Sequence, residues 1–199
     1  MGWIEVWQMK VEEAEIVIEA LIFAATRPIG PKQLGDILDV EPELVARLVD
    51  RVRERYDGRG IQLRSVAGGY QFVSSPECGP WLEQLGRPMV HSPLTLAGVE
   101  TLAIVAYKQP ITKAEIEQIR GVRVDSAVNT LLERDLIVEV GRKDGPGRPI
   151  LYGTTEQFLV HFGLRSLADL PPQENFAEAP VAEPEEVLES DEVVDTLDT

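Results

Sequence analysis

The sequence predicts an α+β protein made of two tandem winged-helix domains, each combining a helix-turn-helix with a β-hairpin wing, and an acidic C-terminal tail. Three observations indicate this fold class. Residues 95–154 carry a clear order of helix start and stop signals that ends in an alternating strand pattern. The same order occurs earlier in the chain, and matching residues lie at a constant offset of 82 positions, as in Pro28 and Pro110. Residues 171–199 have a composition that is unsuited to a packed core.

Residues 1–11 form an unusually apolar arm ahead of the first helix. Trp3 and Trp7 lie within it, together with several aliphatic side chains. Because large aromatic side chains are stabilised by burial, we expect the arm to pack on the body of the protein or on another subunit. The alternative interpretation is an N-terminal extension without a structural role.

The first predicted helix, between Glu12 and Ala25, is apolar around most of its circumference. A domain of about 80 residues usually covers only one side of such a helix, so the other side needs a second cover. The hairpin and the arm are one candidate cover, and a second subunit is the other. For a homodimer, the predicted interface residues are Ile16, Ile18, Leu21 and Phe23.

The remaining elements of the first domain, predicted at residues 12–86, follow from turn and capping chemistry. Pro31 and Pro42 suit the first positions of two further helices, and the glycines after Ala67 predict a hairpin turn. A closing helix is expected between residues 75 and 86. Its predicted buried side consists of Trp81, Leu82 and Leu85. Residues 87–94, with two prolines, form the predicted linker to the second domain.

The second domain, predicted at residues 95–170, has the clearest local signals. Thr95 is expected to cap its first helix, and Thr112 with Glu115 forms a T-x-x-E capping box for the second. Gly121 is placed to end that second helix, and Asp125 is expected to cap the third. The predicted core positions are Leu96, Val99, Leu102 and Ala106 on the first helix, Ile116 and Ile119 on the second, Val128, Leu131 and Leu132 on the third, and Leu136, Val138 and Val140 on the first wing strand.

Catalytic and metal-binding constellations are not recognisable in the sequence. His91 and His161 have no ligand-like neighbours, and Cys78 has no CxxC companion and no adjacent positive charge. We therefore expect no enzyme activity, no cofactor and no metal. No apolar run has the length of a membrane span, no secretory signal is recognisable, and a single cysteine suits a reducing cytoplasm.

Acidic residues concentrate in the tail, residues 171–199. The net charge is −15, and the tail contributes ten acids with no Lys or Arg. Such a composition favours disorder, because little apolar surface is available to offset chain entropy. The tail is interpreted either as a solubilising extension or as a carrier of a short partner motif in residues 187–197.

DNA binding is the usual role of a winged helix, but the charges do not favour it here. Residues 89–170 contain nine bases and ten acids, so the domain offers little neutralisation of phosphate. A DNA-binding regulator is nevertheless kept as the alternative function. Arg142, Lys143 and Arg148 make the wing loop basic, which fits a solvated loop tip, an acidic protein partner or DNA.

Three arginines on the third helix of the first domain could also form either a binding surface or a solvated face. Arg47, Arg51 and Arg55 are spaced four residues apart and share one side of that helix. Acidic residues alternate with them, so a salt-bridged solvent face is predicted. The predicted partners on the same helix are Glu43, Asp50 and Glu54.

Several long motifs resemble one bacterial family. The segments ETLAIVAYKQPITKAEIEQIRGV, LLERDLIVEVGRKDGPGRPILYGTT and FLVHFGLRSLADLP resemble the segregation and condensation protein B family, an accessory subunit of the SMC-kleisin chromosome complex. In the first domain, LIFAATRPI and GRGIQLRSVAGGYQFVS look like the same family. The resemblance covers roughly residues 12–171 and leaves the apolar arm outside.

The resemblance implies a non-enzymatic homodimer that forms through the first domain. It also implies binding of the kleisin, segregation and condensation protein A, and through it the SMC ATPase, in chromosome condensation and segregation. Direct DNA binding would be weak or absent, and the location would be the cytoplasm, at the nucleoid. The positions that match the family motifs and are expected to hold a partner helix are Tyr107, Gln109, Pro110, Ile111, Arg142, Lys143, Arg148, Pro149 and Tyr152.

Overall fold

The computed structural model describes residues 10–85 and 93–172. Nearly all of the predicted apolar arm, most of the predicted linker and nearly all of the acidic tail lie outside these ranges, so their interpretations stay predictions. The described chain contains two groups of helices and strands, and each group has its own apolar core. None of the helices within these two ranges is both long enough and apolar enough to cross a membrane.

The first group has the order helix, helix, helix, hairpin that the sequence predicts. The turn between the two strands uses Ala67 and Gly68, both with positive φ of 50° and 71°, which suits a two-residue hairpin of type I′. After the hairpin come a 3₁₀ turn and a short helix. The elements are α1 (Val11–Ala24), α2 (Pro31–Leu38), α3 (Pro42–Arg55), β1 (Ile61–Val66), β2 (Gly69–Ser74), the 3₁₀ turn (Pro76–Cys78) and α4 (Gly79–Gln84).

The core of the first group forms where α1, α2, α3 and the hairpin meet. Ile18 and Ile22 are four residues apart, so they lie on one stripe of α1 and face the other helices. Leu34 is fully buried at the centre of α2. The whole buried set is Ile18, Ile22, Ile29, Leu34, Val45, Leu48, Val49, Val52 and Leu63.

The closing helix of the first group differs from the prediction. α4 is short and buries none of its residues, and Trp81 keeps 69% of its surface exposed. Leu85 is also exposed, so the predicted buried side of this segment is wrong. The apolar spacing is helical, but no other described element covers it.

The second group adds a third strand to the winged-helix pattern. A two-residue strand between the first two helices pairs with the returning wing strand, which gives the sheet order β3-β5-β4. The sequence did not predict this strand. The elements are α5 (Leu96–Lys108), β3 (Ile111–Thr112), α6 (Lys113–Arg120), α7 (Asp125–Glu133), β4 (Ile137–Arg142), β5 (Ile150–Thr154), α8 (Glu156–Phe162) and a 3₁₀ turn (Leu167–Asp169).

Most of the predicted helix ends of the second group are confirmed. The hydroxyl of Thr95 accepts from the backbone N–H of Gly98, and Thr112 and Glu115 form the reciprocal capping box. Gly121 ends α6 with a φ of 70°, a conformation that glycine adopts without strain. Asp125 is a correction. It is the first residue of α7 rather than its cap, and its carboxylate pairs with the ammonium of Lys113.

Some predicted core positions of the second group are on the surface instead. On α5, the buried stripe contains Leu102, Val105 and Ala106, whereas Leu96 and Val99 at its start lie on a side that no other described element covers. Ile119 is exposed near the end of α6. On β4, Ile137 is buried and Val138 and Val140 are exposed, since these valines lie on the sheet face that the helices leave open. The whole buried set is Leu102, Val105, Ala106, Ile111, Ile116, Val124, Val128, Leu131, Leu136, Ile137, Tyr152 and Phe158.

The internal repeat is visible in the strand pairing. Ile29 forms an isolated bridge with Tyr70, and 82 residues further along, Ile111 pairs with Tyr152. Leu34 and Ile116, which have the same offset, are both fully buried. The two groups are therefore two copies of one winged-helix pattern, as the sequence predicts.

A backbone junction links the two groups. The N–H groups of Ala67 and Gly68, in the first hairpin turn, donate to the carbonyl oxygens of Leu164 and Arg165 at 2.8 and 3.0 Å. Arg165 in turn donates to both carboxylate oxygens of Asp169 at 2.7 and 3.0 Å, and these hydrogen bonds lower the pKa of Asp169 to about 2. The segment after α8 is thus held in shape where the first hairpin contacts it.

Candidate docking surfaces

The exposed side of α1 carries apolar side chains beside the hairpin. Ile16 and Phe23 keep 64% and 76% of their surface exposed, and their spacing with Ala20 places all three on one stripe of the helix. This stripe forms one wall of a groove of about 370 Å³, here called the first-domain groove. Its lining residues are Ile16, Glu19, Ala20, Phe23, Tyr56, Ile61 and Phe72.

Two of the four residues predicted for a dimer interface do not lie on this surface. Ile18 is fully buried in the core of its own domain, so it has no surface to offer a partner and is removed from the predicted interface. Leu21 is partly buried and packs against the same core. One side of α1 is packed in the core of its own domain, and the side with Ile16 and Phe23 is exposed within the described residues.

A buried carboxylate fixes α1 against α3 next to the first-domain groove. Glu15 is 3% exposed; the Nε of Arg51 lies 2.8 Å from its Oε1, and Nη1 of Arg55 donates to its Oε2 at 3.0 Å. One turn later on α1, the Tyr56 hydroxyl donates to Glu19 at 2.8 Å, and this hydrogen bond raises the pKa of Tyr56. The predicted same-helix pairing of Arg51 and Arg55 is therefore corrected: they pair with α1.

The open face of the second sheet forms another apolar groove. Side chains alternate across β5, so Tyr152 points into the core while Leu151 and Gly153 face outward. Val140 and Pro110 are exposed beside them, and the resulting depression has a volume of about 390 Å³. This surface, here called the wing groove, is lined by Gln109, Pro110, Val140, Leu151 and Gly153.

The floor of the wing groove depends on Gln109 and Gly153. The amide of Gln109 donates to the Ala106 carbonyl at 3.1 Å and to the Thr154 hydroxyl at 3.0 Å, and its oxygen accepts from the Thr154 N–H at 2.8 Å. The side chain therefore joins the end of α5 to β5. A Cβ at position 153 would lie 2.9 Å from Cγ1 of Val140 and 3.0 Å from the Gln109 oxygen, so glycine keeps the floor open.

The basic wing loop is anchored to α6 on one side. The ammonium of Lys143 donates to Glu115 at 2.5 Å, and the guanidinium of Arg142 donates to the carbonyl of Arg148 at 3.2 Å. The hydrogen bond from Lys143, followed by those from the N–H and hydroxyl of Thr112, lowers the pKa of Glu115 to about 2. Arg142 and Arg148 are exposed at the two sides of the wing loop and do not line the wing groove.

The depressed pKa of Glu115 predicts a defined acid response of the second domain. A carboxylate with a folded-state pKa near 2 and an unfolded value near 4.3 contributes stability that is complete above the unfolded value. This contribution is lost as the pH falls from about 4.5 towards 2. In chemical denaturation across this window, Glu115→Gln is expected to show a weaker pH dependence than the parent chain. Equal pH dependence of both would contradict the assignment.

The remaining residues that were predicted to contact a partner are buried in the second domain or form hydrogen bonds within it. Ile111 and Tyr152 are buried in the core of the second domain, so in this structure they form the groove from behind rather than line it. The hydroxyl of Tyr107 donates to the carbonyl of Pro171 at 2.7 Å, which holds the start of the tail against the end of α5. Pro149 contributes a carbonyl that accepts from the Lys143 N–H at 2.8 Å.

Three residues that line the wing groove were not among the residues predicted to contact a partner. Leu151 and Gly153 lie within a motif of the family resemblance but were not singled out, and Val140 was predicted as a core residue. Period-two alternation identifies the two faces of a strand but does not say which face is covered. Because Glu139 separates Val138 from Val140, the alternation predicted that the glutamate faces solvent and that the two valines face the core.

The third helix of the second domain has little chemistry for DNA. α7, Asp125–Glu133, contains two acids and no Lys or Arg. Its neighbour Lys113 is occupied by the carboxylate of Asp125, an interaction that raises the pKa of Lys113. No cluster of three or more potential metal ligands occurs within residues 10–85 and 93–172. The candidate docking surfaces within the described residues are the two apolar grooves.

Two groups of helices and strands with the winged-helix order, each with an exposed apolar groove, place the described chain in the winged-helix class. The family model for the segregation and condensation complex subunit ScpB matches residues 16–173. A segregation and condensation protein B from Desulforamulus reducens is 45% identical over 167 residues, covering 83% of this chain and 92% of its own. The chain therefore belongs to the ScpB family of segregation and condensation complex subunits.

Solved structures of the same family also match. The crystal structure of ScpB from Mycobacterium tuberculosis is 34% identical, covering 79% of this chain and 99% of that chain, with a TM-score of 0.39. A crystal structure of a dimer of the ScpB N-terminal domain complexed with ScpA peptide is 26% identical. It covers 38% of this chain and 96% of that chain, with a TM-score of 0.36.

Proposed function

We propose that this chain is a non-enzymatic scaffold subunit that acts as a homodimer and binds the kleisin ScpA. Through the kleisin it would join the SMC ATPase at the nucleoid, in the cytoplasm, and act in chromosome condensation and segregation. The observation that carries the proposal is the wing groove, an uncovered apolar surface on the domain that would bind DNA in other winged-helix proteins. Membership of the ScpB family supports the biological role.

The wing groove fits an apolar helical segment of a protein partner. Val140, Leu151 and Pro110 supply apolar contact, and burial of such surface contributes about 25 cal/mol per Å². Arg142, which follows Val140 by two residues, and Arg148 are exposed beside the wing loop and would favour acidic residues that flank the bound segment. The groove itself thus supplies affinity, and the basic loop supplies orientation.

The first-domain groove is proposed as the dimer interface. Ile16 and Phe23 are exposed apolar residues on a helix that has one side already packed in a core. A twofold contact would bring the same stripe of a second chain against them, since cyclic dimers use one self-complementary patch. The proposed domain bounds are residues 12–86 for dimerisation and 95–170 for kleisin binding, joined by a linker at residues 87–94.

A charge placed in the wing groove tests the kleisin proposal. Val140→Glu is expected to weaken ScpA binding at least tenfold, because an unpaired carboxylate would be buried under the partner. Titration of labelled ScpA with the variant, followed by fluorescence anisotropy, measures the change. Val99→Glu is the matched control, since Val99 is also an exposed valine of the second domain but lies outside the groove. Equal affinities for Val140→Glu and the parent chain would reject the groove as the site.

A winged-helix DNA-binding regulator is the second candidate function. The basic loop with Arg142 and Arg148 is the observation that favours it. Titration with duplex DNA at low and physiological salt separates the candidates, because phosphate contacts make affinity fall steeply with salt. The proposed scaffold is expected to bind weakly at physiological salt. Tight binding with a steep salt slope would favour the regulator.

A further inference from the structure

We propose that the acidic tail of this chain, through residues 187–197, occupies the wing groove of the same molecule and competes there with the kleisin. The inference rests on the proposed function, because it concerns regulation of the same groove. Three features carry it: the point at which the tail leaves the folded domain, the chemistry of the groove, and the sequence of the tail.

The tail begins beside the groove. The hydroxyl of Tyr107 holds the carbonyl of Pro171 at 2.7 Å, and Gln109 and Pro110, which line the groove, follow Tyr107 by two and three residues. Consecutive Cα atoms are 3.8 Å apart, so the Cα atoms of Tyr107 and Pro110 are separated by at most about 11 Å. The Tyr107 side chain and its hydrogen bond to Pro171 add to the distance between the tail and the groove. The tail therefore leaves the folded domain at Pro171, which is joined to the groove by the Tyr107 side chain and three residues of backbone.

The length of chain between the exit point and the proposed segment fits this distance. From Pro172 to Val187 the chain advances about 15 residues, and a linker of that length has a root-mean-square span of about 20 Å or more, since prolines and like charges extend it. A tether whose span matches the separation of its two sites gives an effective concentration in the millimolar range. A weakly binding segment can therefore occupy the groove for much of the time.

The tail segment and the groove have matching chemistry. Residues 187–197, VLESDEVVDTL, alternate short apolar stretches with acids. The groove offers an apolar floor at Val140 and Leu151, and Arg142 lies two residues beyond Val140, opposite Ile150 on the neighbouring strand. Apolar side chains on the floor would place the acids of the segment near the basic wing loop. The remainder of the tail, residues 173–186, is rich in proline and acids, with few large apolar side chains.

An occupied groove has a measurable effect on partner binding. A kleisin segment that needs the groove must displace the tail, so its apparent affinity falls by the fraction of molecules with an open groove. With an effective concentration about four times the intrinsic dissociation constant of the segment, about one fifth of the grooves would be open and the tail would weaken kleisin binding roughly fivefold. Loss of the tail contact would raise the kleisin affinity by the same factor.

A photo-crosslinking experiment on the full-length chain tests the contact. Benzoylphenylalanine at position 140 is expected to crosslink to residues 187–197 of the same molecule, as mapped by mass spectrometry. The same probe at position 99, on α5, is the control and should not label the tail. A Leu188→Glu, Val193→Glu, Val194→Glu variant should lose the position-140 crosslink and bind ScpA roughly fivefold more tightly.

Three outcomes would overturn the proposal. These are crosslinks from position 140 that avoid the tail, crosslinks that join two isotopically distinct chains, and an unchanged ScpA affinity in the triple tail variant that has lost its crosslink. The kleisin proposal is judged by a different measurement, the ScpA affinity of Val140→Glu. If that affinity is unchanged but the intramolecular crosslink forms, the kleisin assignment fails and the competition fails with it, and only the contact between the tail and the groove stands.

Discussion

Replacing Phe23 by glutamate is expected to convert the proposed dimer into a monomer of about 22 kDa. Phe23 is the most exposed apolar side chain of α1 within the described chain, so the substitution leaves the domain's own core intact. In a twofold interface each substitution introduces two symmetry-related carboxylates. Burial of an unpaired charge costs about 2 kcal/mol or more, so two charges would weaken association by about 4 kcal/mol, or roughly a thousandfold.

Light scattering coupled to size exclusion measures this change directly. Ile37→Glu is the matched control, because Ile37 is an exposed aliphatic residue of the first domain that does not line the groove. The control is expected to keep the mass of the parent chain, and both variants are expected to keep its circular dichroism spectrum. A dimeric Phe23→Glu chain would show that another surface holds the two subunits together.

Removing both arginines that face Glu15 is expected to destabilise the first domain strongly. In the Arg51→Ala, Arg55→Ala double variant, a carboxylate that is 4% exposed loses both of its cationic partners. Breaking a buried ion pair from one side typically costs 3 to 5 kcal/mol, and about 3 kcal/mol is expected here because both arginines are half exposed in the parent chain. Urea denaturation, followed by far-ultraviolet circular dichroism, measures the loss.

A third substitution distinguishes the buried charge from lost arginine packing. Adding Glu15→Met to the double variant removes the uncompensated carboxylate and supplies an apolar side chain of similar length. Most of the lost stability is expected to return. If the triple variant is no more stable than the double variant, the effect comes from the arginine stems and not from Glu15.

The amino-acid sequence predicted the winged-helix pattern because its signals are local. Thr95, the Thr112–Glu115 capping box and Gly121 each act within one helical turn, and the structure has all of them at the predicted positions. The internal repeat was equally accessible, since it depends on matching residues rather than on packing. The strand β3 was missed because two residues are too few to show a period.

The docking surfaces were predicted less well because exposure is a tertiary property. Ile18 and Phe23 have the same apolar character and lie on the same helix, yet one is fully buried and the other is 76% exposed. Val140 and Ile137 belong to one strand and also differ in burial. Arg51 and Arg55 have acidic neighbours on their own helix, but both form ion pairs with Glu15, the buried carboxylate on α1. Each of these outcomes depends on which element lies opposite, and sequence spacing does not contain that information.

The backbone junction between the first hairpin turn and the segment after α8 bears on the distance between the two wing grooves of the proposed dimer. The amides of Ala67 and Gly68 are bound to Leu164 and Arg165, so two backbone hydrogen bonds contribute to the angle between the two domains. In a twofold dimer, that angle and the position of the symmetry axis together determine the separation of the two wing grooves. Under the proposed dimer and kleisin binding, the length of partner chain needed to bridge both wing grooves would depend in part on these four backbone groups.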